Sequence, residues 1–109
     1  MKIAIIGSRS LTNVDISKYL PENITEIISG GAKGIDSLAE QYADKNGIAK
    51  TIIRPDYKRY KRGAPLKRNK EIVQLADKII ALWDGTSRGT KFTIDCAKRL
   101  GKDIDVYIL

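Results

Sequence analysis

The sequence predicts an α/β fold in which helices cover both faces of a mainly parallel sheet of five strands. Five short apolar runs, rich in isoleucine, leucine and valine, alternate with segments that have helical spacing. The apolar runs lack a regular polar alternation, which is typical of strands covered on both faces. Strands separated by helices form βαβ units, so we expect the strands to be parallel.

The five strands are assigned from their length and flanking turns. The first is KIAII at residues 2–6, and the second is TEIIS at 25–29. KTIIR at 50–54, KIIALW at 78–83 and DVYIL at 105–109 follow. Each run is short, is apolar or rich in β-branched residues, and has turn residues close by, which favours a strand over a piece of helix.

The first two helices are predicted from different sequence signals. A short helix over 13–20 is predicted from Thr12 and Asp15, a pair spaced like a capping box. The segment 34–46 carries apolar residues at i, i+3, i+4, i+7 and i+8, which form one stripe. Gly47 follows this segment, in the position of a C-terminal cap.

The last two helices are predicted over 66–76 and 90–100. Pro65 is expected in the turn just before the first of them. The second has Phe92, Cys96 and Leu100 every four residues, which places Cys96 in the buried stripe. The intervening segment 55–65 is predicted to be irregular, as in a lid or binding loop.

Length and composition bound the class of protein. The 109 residues predict one domain, residues 1–109, with a modest core. No apolar stretch is long enough to span a bilayer, and the start does not read as a signal peptide, so a cytoplasmic protein without a membrane partner is expected. With no histidine and one cysteine, the sequence predicts no metal site, disulfide framework or histidine-based catalytic triad.

The net charge of +7 is concentrated in one segment. Residues 57–70 contain seven basic side chains and no acidic one, and the rest of the chain is neutral overall. A phosphate-bearing or polyanionic partner, including nucleic acid, is one interpretation of this segment. The other is a solvated charged loop.

The turns that follow the strands indicate where a ligand binds. In open α/β sheets the ligand site lies beyond the carboxyl ends of the strands. GSRS follows the first strand, GGAKG the second and DGTSRGT the fourth, while the basic segment comes after the third. Three turns rich in glycine and hydroxyl side chains therefore converge on one edge with a basic segment.

Such turns suit an anion, because glycine lets backbone N–H groups approach it closely and a following helix adds its positive end. Gly30, Gly31 and Gly34 are interpreted as an anion cradle. The expected hydroxyl donors and positive charges are Ser8, Ser29, Ser87, Thr90, Arg9 and Arg68. The chain contains neither GxGxxG nor GxxxxGK[ST], so a Walker-type NTPase is not expected.

Four segments together resemble the SLOG superfamily: GSR, SGGAKGIDSLAE, GAPLKRN and ADKIIALWDGTSRGT. That superfamily groups Rossmann-like proteins related to DprA (Smf) and to the LOG phosphoribohydrolases. The chain is most similar to its YspA/YpsA-related branch of small single-domain proteins, over roughly residues 2–108. The second and fourth segments are fairly specific together, whereas GSR alone is not.

The resemblance implies a Rossmann-like three-layer α/β/α sandwich, a nucleotide or nucleotide-derived ligand, and a homodimer. It implies no particular cofactor. It also implies a set of ligand-binding residues, carried over by position. These are Gly7, Ser8, Arg9, Ser29, Gly30, Gly31, Gly34, Asp36, Arg68, Asn69, Asp84, Gly89 and Thr90. Ser87 joins the predicted ligand-binding residues as a hydroxyl donor of the DGTSRGT turn.

One departure from the family pattern concerns catalysis. The LOG enzymes that this chain resembles use PGGxGTxxE, in which a glutamate takes part in cleaving an N-glycosidic bond. Here Thr93 stands at the glutamate position, and GTSR replaces PGG. A threonine cannot act as that carboxylate, so the catalytic residues stay unassigned and the prediction leans away from an enzyme. Asp36 and Asp84 are alternatives for a base, or for orienting ribose hydroxyls.

Three aromatic residues have two interpretations each. Trp83, at the end of the fourth strand, either packs in the core or stacks on a base. Tyr57 and Tyr60 lie among lysines and arginines, as in proteins that bind single strands, but a lid over a nucleotide explains them as well. Three hypotheses follow: a nucleotide-binding or sensing protein, a phosphoribohydrolase-like enzyme, and a DprA-like single-stranded DNA binder.

Overall fold

The five strands form one parallel sheet in a computed structural model that describes all of residues 1–109. The strands are β1 (Lys2–Gly7), β2 (Glu26–Ser29), β3 (Ala49–Ile52), β4 (Lys78–Trp83) and β5 (Asp103–Ile108). Their order across the sheet is β3-β2-β1-β4-β5, and every neighbouring pair is parallel. The predicted parallel sheet is confirmed: β4 has the predicted bounds, and the ends of the other strands lie within two residues of the predicted ones.

Helices cover both faces of the sheet and complete three layers. The helices are α1 (Ile35–Lys45), α2 (Tyr57–Tyr60), α3 (Ala64–Leu75) and α4 (Arg88–Arg99). Because side chains alternate along a strand, Ile3 and Ile5 of β1 pack on the face of α1, and Ala4 and Ile6 pack on the face of α3 and α4. The Rossmann-like α/β/α sandwich implied by the resemblance is therefore observed. Cys96 is buried between α4 and the sheet, as predicted.

The predicted helix over 13–20 is wrong in kind and length. The structure has a single 3-10 turn, Ile16–Tyr19. Asp15 rather than Thr12 caps it, since the Asp15 carboxylate accepts from the Ser17 amide at 3.2 Å. Pro21 follows closely and holds Leu20 in an extended conformation, with ψ at 142°. The proline therefore ends the helical segment after one turn.

The predicted irregular segment over 55–65 is also wrong. The Asp56 carboxylate accepts from the Arg59 amide at 3.2 Å and starts α2, and a 3-10 turn, Lys61–Gly63, joins α2 to α3. Helix α3 begins two residues earlier than predicted, so Pro65 lies within its first turn, where no amide donor is required. The basic segment is thus helical over most of its length.

Candidate functional site

A cavity of about 370 Å³ opens at the carboxyl edge of the sheet, beside the ends of β1 and β4. This is the switch point of the topology: from β1 the sheet continues to β2 and β3 on one side, and to β4 and β5 on the other. Crevices at such points are the usual ligand sites of doubly wound sheets. Its volume lies within the range of small-molecule pockets, roughly 300 to 1,000 Å³.

Most of the predicted site residues meet in this cavity. Those that line it are Gly7, Arg9, Asp36, Arg68, Asn69, Asp84, Ser87, Gly89 and Thr90. Those outside its wall are Ser8, Ser29, Gly30, Gly31 and Gly34. Ser8 and Ser29 are fully enclosed, with 1% and 0% of their surface exposed. Both serines support the neighbouring loops from beneath instead of facing the cavity.

Ser8 belongs to the GSRS turn that follows β1, and it links this turn to the β4–α4 turn (84–87). Its hydroxyl oxygen accepts from the Asp84 amide at 3.0 Å and lies 2.6 Å from the Ser87 hydroxyl oxygen. The Ser10 hydroxyl donates to Asp84 Oδ2 at 2.7 Å across the same gap. Two turns that are 74 or more residues apart in sequence are thereby held together at one wall of the cavity.

Asp84 organises the β4–α4 turn. Its Oδ1 accepts from the amides of Thr86 and Ser87 at 2.9 and 2.8 Å. The hydrogen bond from the Ser10 hydroxyl and the bonds from the two amides stabilise the charged carboxylate, and they hold the pKa of Asp84 well below its usual range. The Asp84 carboxylate is therefore an ionised structural anchor in the turn, with its oxygens already bonded to the protein.

The first turn of α4 leaves its backbone donors free. The amides of Arg88, Gly89 and Thr90 have no acceptor within the protein, and Ser87 makes no side-chain cap. Gly89 and Thr90 line the cavity. Free amides at a helix N-terminus, together with the helix dipole, favour an anion at this position.

Arg68 supplies a buried positive charge to the cavity wall. Its Nη1 donates to the carbonyl oxygens of Gly30 and Ile53, and its Nε donates to Asn69 Oδ1 at 2.6 Å. Its Nη2 donates to no acceptor in the protein. Because every fully buried polar side-chain atom of the protein has a hydrogen-bond partner, Nη2 must be accessible from outside the protein. Burial lowers the pKa of Arg68 from its usual value, and the negative charge of Asp36 opposes that shift.

Asp36 lies in the same wall and is 8% exposed. Its Oδ2 accepts from the Ala32 amide at 3.2 Å, while Oδ1 has no donor. Burial raises the pKa of Asp36, although the Ala32 amide and the charges of Arg68 and Arg9 act in the opposite direction. No ion pair within 4.0 Å joins Asp36 to either arginine, so one carboxylate oxygen stays available to a donor in the cavity.

The glycines of the β2–α1 loop (30–34) make room for the protein's own atoms. A Cβ at Gly30 would lie 2.6 Å from Arg68 Nη1, and one at Gly31 would lie 2.6 Å from Arg54 Nη1. Gly34 has φ at +73° and closely approaches the carbonyl of Ser8. The anion-cradle interpretation is therefore corrected: Gly30 makes room for Arg68 and Asp36, Gly31 for Arg54, and Gly34 for the backbone of Ser8, and none of the three glycines lines the cavity.

The aromatic residues divide between the core and the surface. Trp83 packs against the apolar cluster under α3 and α4, and its Nε1 donates to the Ser87 carbonyl at 3.0 Å. It does not line the cavity, which favours the core interpretation. Tyr57 is 57% exposed, and Tyr60 lies against the side chains of Arg59 and Lys67.

Sequence reasoning missed several residues of the cavity wall. Ser10 and Ala32 line it, together with the apolar Ile6, Pro65, Leu66 and Ile72. Thr93 lines it as well, and the sequence had singled it out only as the counterpart of a catalytic glutamate. Ser10 belongs to the GSRS turn and could have been included on that ground. The apolar residues carry no such signal, because a sequence does not show which part of a packed stripe reaches a cavity.

A Rossmann-like domain with a cavity at its switch point is the class of protein that this fold defines. The chain belongs to the YAcAr family, described as the YspA, cpYpsA-related SLOG family, whose model matches residues 1–60. This places the chain in the superfamily that its motifs resemble. No curated protein sequence matched the chain.

Among solved structures, the fold is similar to the X-ray structure of DNA processing protein A (DprA) from Streptococcus pneumoniae. The TM-score is 0.77 at 21% sequence identity, and the match covers 96% of this chain. The chain corresponds to 49% of the DprA chain, so it spans about half the length of that protein. At this identity the likeness establishes the fold. None of the helices described above combines the length and the apolar character needed to cross a membrane.

Proposed function

We propose that the protein binds a nucleotide or a nucleotide-derived small molecule in the switch-point cavity, with a phosphate group at the N-terminus of α4. The observation that carries the proposal is the set of free amides at Arg88, Gly89 and Thr90, two of which belong to cavity-lining residues. Arg9 and Arg68 line the same cavity and add positive charge. A phosphate bound there would accept from the free amides and interact with the positive charge of the two arginines.

The rest of the cavity supports a nucleotide over a bare phosphate. Ile6, Leu66 and Ile72 give it an apolar wall that suits a base or a sugar face. The available Oδ1 of Asp36 can accept from a ribose hydroxyl or from an amino group of the base. Anionic, hydroxyl-bearing and apolar portions in one small molecule are the features of a nucleotide.

Gly89 offers a sharp test, because a Cβ there meets no atom within 4 Å. Gly89→Asp places a negative charge at the positive end of α4, which the folded protein tolerates but an incoming phosphate does not. Gly89→Asn has nearly the same shape without the charge and is the matched control. Binding of adenosine 5′-monophosphate is measured by thermal shift and by calorimetry.

We expect AMP to stabilise the parent protein and Gly89→Asn, and we expect Gly89→Asp to lose about tenfold or more in affinity. Both variants should unfold at temperatures close to that of the parent without AMP. If Gly89→Asp binds AMP as tightly as the parent does, the proposed phosphate position is wrong. If AMP and related nucleotides stabilise none of the three proteins, the function itself is wrong.

A second candidate function is binding of single-stranded nucleic acid through residues 57–70. It is favoured by seven basic side chains of which none forms an ion pair within 4.0 Å, and by the exposed ring of Tyr57. Fluorescence anisotropy of an oligothymidylate should then show an affinity that falls steeply with salt. A flat salt response would contradict it.

Hydrolysis of the nucleotide is not proposed. The Thr93 hydroxyl lines the cavity and donates to the Gly89 carbonyl at 3.0 Å, one helical turn earlier. It therefore serves as a helix contact where the related enzymes have a carboxylate. The homodimer and the cytoplasmic location stay predictions.

A further inference from the structure

A second, smaller cleft shares Arg68 with the switch-point cavity. It has a volume of about 140 Å³ and is lined by four cations, Arg54, Arg59, Lys67 and Arg68. We call it the basic cleft. Arg68 lines both spaces, so the two are neighbours that share one guanidinium group.

The contacts that orient Arg54, Arg59 and Lys67 in the basic cleft are made with uncharged groups. Arg59 and Lys67 both lie over the ring of Tyr60, at 5.3 and 5.6 Å from its centroid. Arg54 Nη1 donates to the Gly31 carbonyl at 3.4 Å. The side chains are thus oriented by a neutral ring and a neutral carbonyl instead of by carboxylates.

Two acidic residues, Asp56 and Glu71, also line the basic cleft, but neither pairs with its cations. No ion pair within 4.0 Å involves any of the four basic side chains. The Asp56 carboxylate accepts from the Arg59 amide as the cap of α2. Four cations against two carboxylates leave the lining of the basic cleft with a net positive charge, which favours an anion between the cations.

The size of the basic cleft limits what that anion is. Its volume of about 140 Å³ is well under half that of the switch-point cavity. It also lies below the range of roughly 300 to 1,000 Å³ usual for whole small molecules. A single compact group such as a phosphate fits the space, whereas a second nucleoside does not.

We infer that the ligand is a nucleotide with a second phosphate group, and that this second group binds in the basic cleft while the first binds at the N-terminus of α4. This inference rests on the proposed function. The inference restricts the ligand to nucleotides whose two phosphate groups are separated by the sugar or by a longer link. Arg68, which lines both spaces, would then contact both phosphate groups.

The test compares adenosine 5′-monophosphate with adenosine 3′,5′-bisphosphate by calorimetry on the full chain. The variant carries Arg59→Gln and Lys67→Gln, which removes two cations of the basic cleft. The matched control carries Lys58→Gln and Arg62→Gln, which removes the same two charge types from exposed positions of the same segment that line neither space. Both double variants have the same net charge.

We expect the parent and the control to bind the bisphosphate about tenfold or more tightly than AMP, and the basic-cleft variant to bind the two equally. AMP affinity should stay within about twofold in all three proteins, since the first phosphate site is untouched. A parent protein without a preference for the bisphosphate overturns the inference. So does an equal loss of preference in both double variants, which would indicate a diffuse polyanion surface of the kind that binds nucleic acid.

The two proposals fail in different ways. If AMP binds and Gly89→Asp abolishes that binding, the proposed function stands, and the bisphosphate comparison then decides the basic cleft alone. If neither probe binds the parent protein, both proposals are wrong.

Discussion

The β2–α1 loop and the β4–α4 turn are similar in composition and different in role. Both are rich in glycine and hydroxyl side chains, and both precede a helix at the same edge of the sheet. In the β2–α1 loop, atoms of Arg68, Arg54 and Ser8 fill the space that side chains would occupy at the glycines. In the β4–α4 turn, a Cβ at Gly89 would meet nothing. Glycine thus indicates that something approaches the backbone closely, but not whether it is a ligand or the protein itself.

The carboxylates of the two regions also differ in whether they are free to contact a ligand. Asp36, in the first turn of α1, is buried with one free oxygen, and burial raises its pKa. Asp84, in the β4–α4 turn, accepts several hydrogen bonds, and they lower its pKa. One carboxylate is available to a cavity ligand, and the other is committed to the shape of the turn.

The largest expected effect on stability comes from a substitution in the packed β2–α1 loop. Gly34→Ala forces a side chain into a conformation with φ at +73° and places its Cβ 2.5 Å from the Ser8 carbonyl oxygen. We expect a loss of about 3 kcal/mol in the free energy of unfolding, measured by urea denaturation. Gly89→Ala, in the open turn, should instead be neutral or stabilise by up to about 1 kcal/mol, because alanine is favoured over glycine in a helix. Equal losses in the two variants would refute the comparison.

A smaller effect on stability is expected to distinguish Arg68 from Arg9, the two arginines of the switch-point cavity. Arg68→Lys keeps the charge but cannot bond Gly30, Ile53 and Asn69 at once, so it should cost about 2 kcal/mol in unfolding free energy. Arg9→Lys changes an exposed side chain and should cost less than about 0.5 kcal/mol. Denaturation curves of both variants measure this difference. A large cost at Arg9 would show that it, too, supports the fold.

The smallest effect is in the pH dependence of stability. The raised pKa of Asp36 means that its burial weighs against folding at neutral pH and is relieved as pH falls through that raised pKa. The lowered pKa of Asp84 has the opposite sign: its contribution is present above the ordinary aspartate pKa of about 3.9 and is lost as pH falls below it.

Unfolding free energies are therefore measured for the parent, Asp36→Asn and Asp84→Asn between about pH 3 and pH 6. Relative to the parent, Asp36→Asn should become less stable as pH falls, because the parent alone gains from protonation. Asp84→Asn should become more stable relative to the parent over the acidic end. Parallel pH profiles for the two variants would contradict the opposite shifts.

The sequence by itself determined the parallel sheet and three of its covering helices, because apolar runs and helical stripes are local patterns. It also determined that the GSRS and DGTSRGT turns meet, since parallel strands end at one edge. It failed where a single residue overrode a pattern: Pro21 shortened the first helix to a 3-10 turn, and the Asp56 cap turned an expected loop into α2.

Only the tertiary structure decided which glycines face a cavity and which face the protein. That depends on Arg68, which is 38 residues from Gly30 in sequence and reaches its carbonyl only after α3 packs on the sheet. The same packing divides the space beside Arg68 into a large cavity and a small basic cleft. Local sequence fixes how the backbone turns, whereas long-range packing fixes what occupies the space beside it.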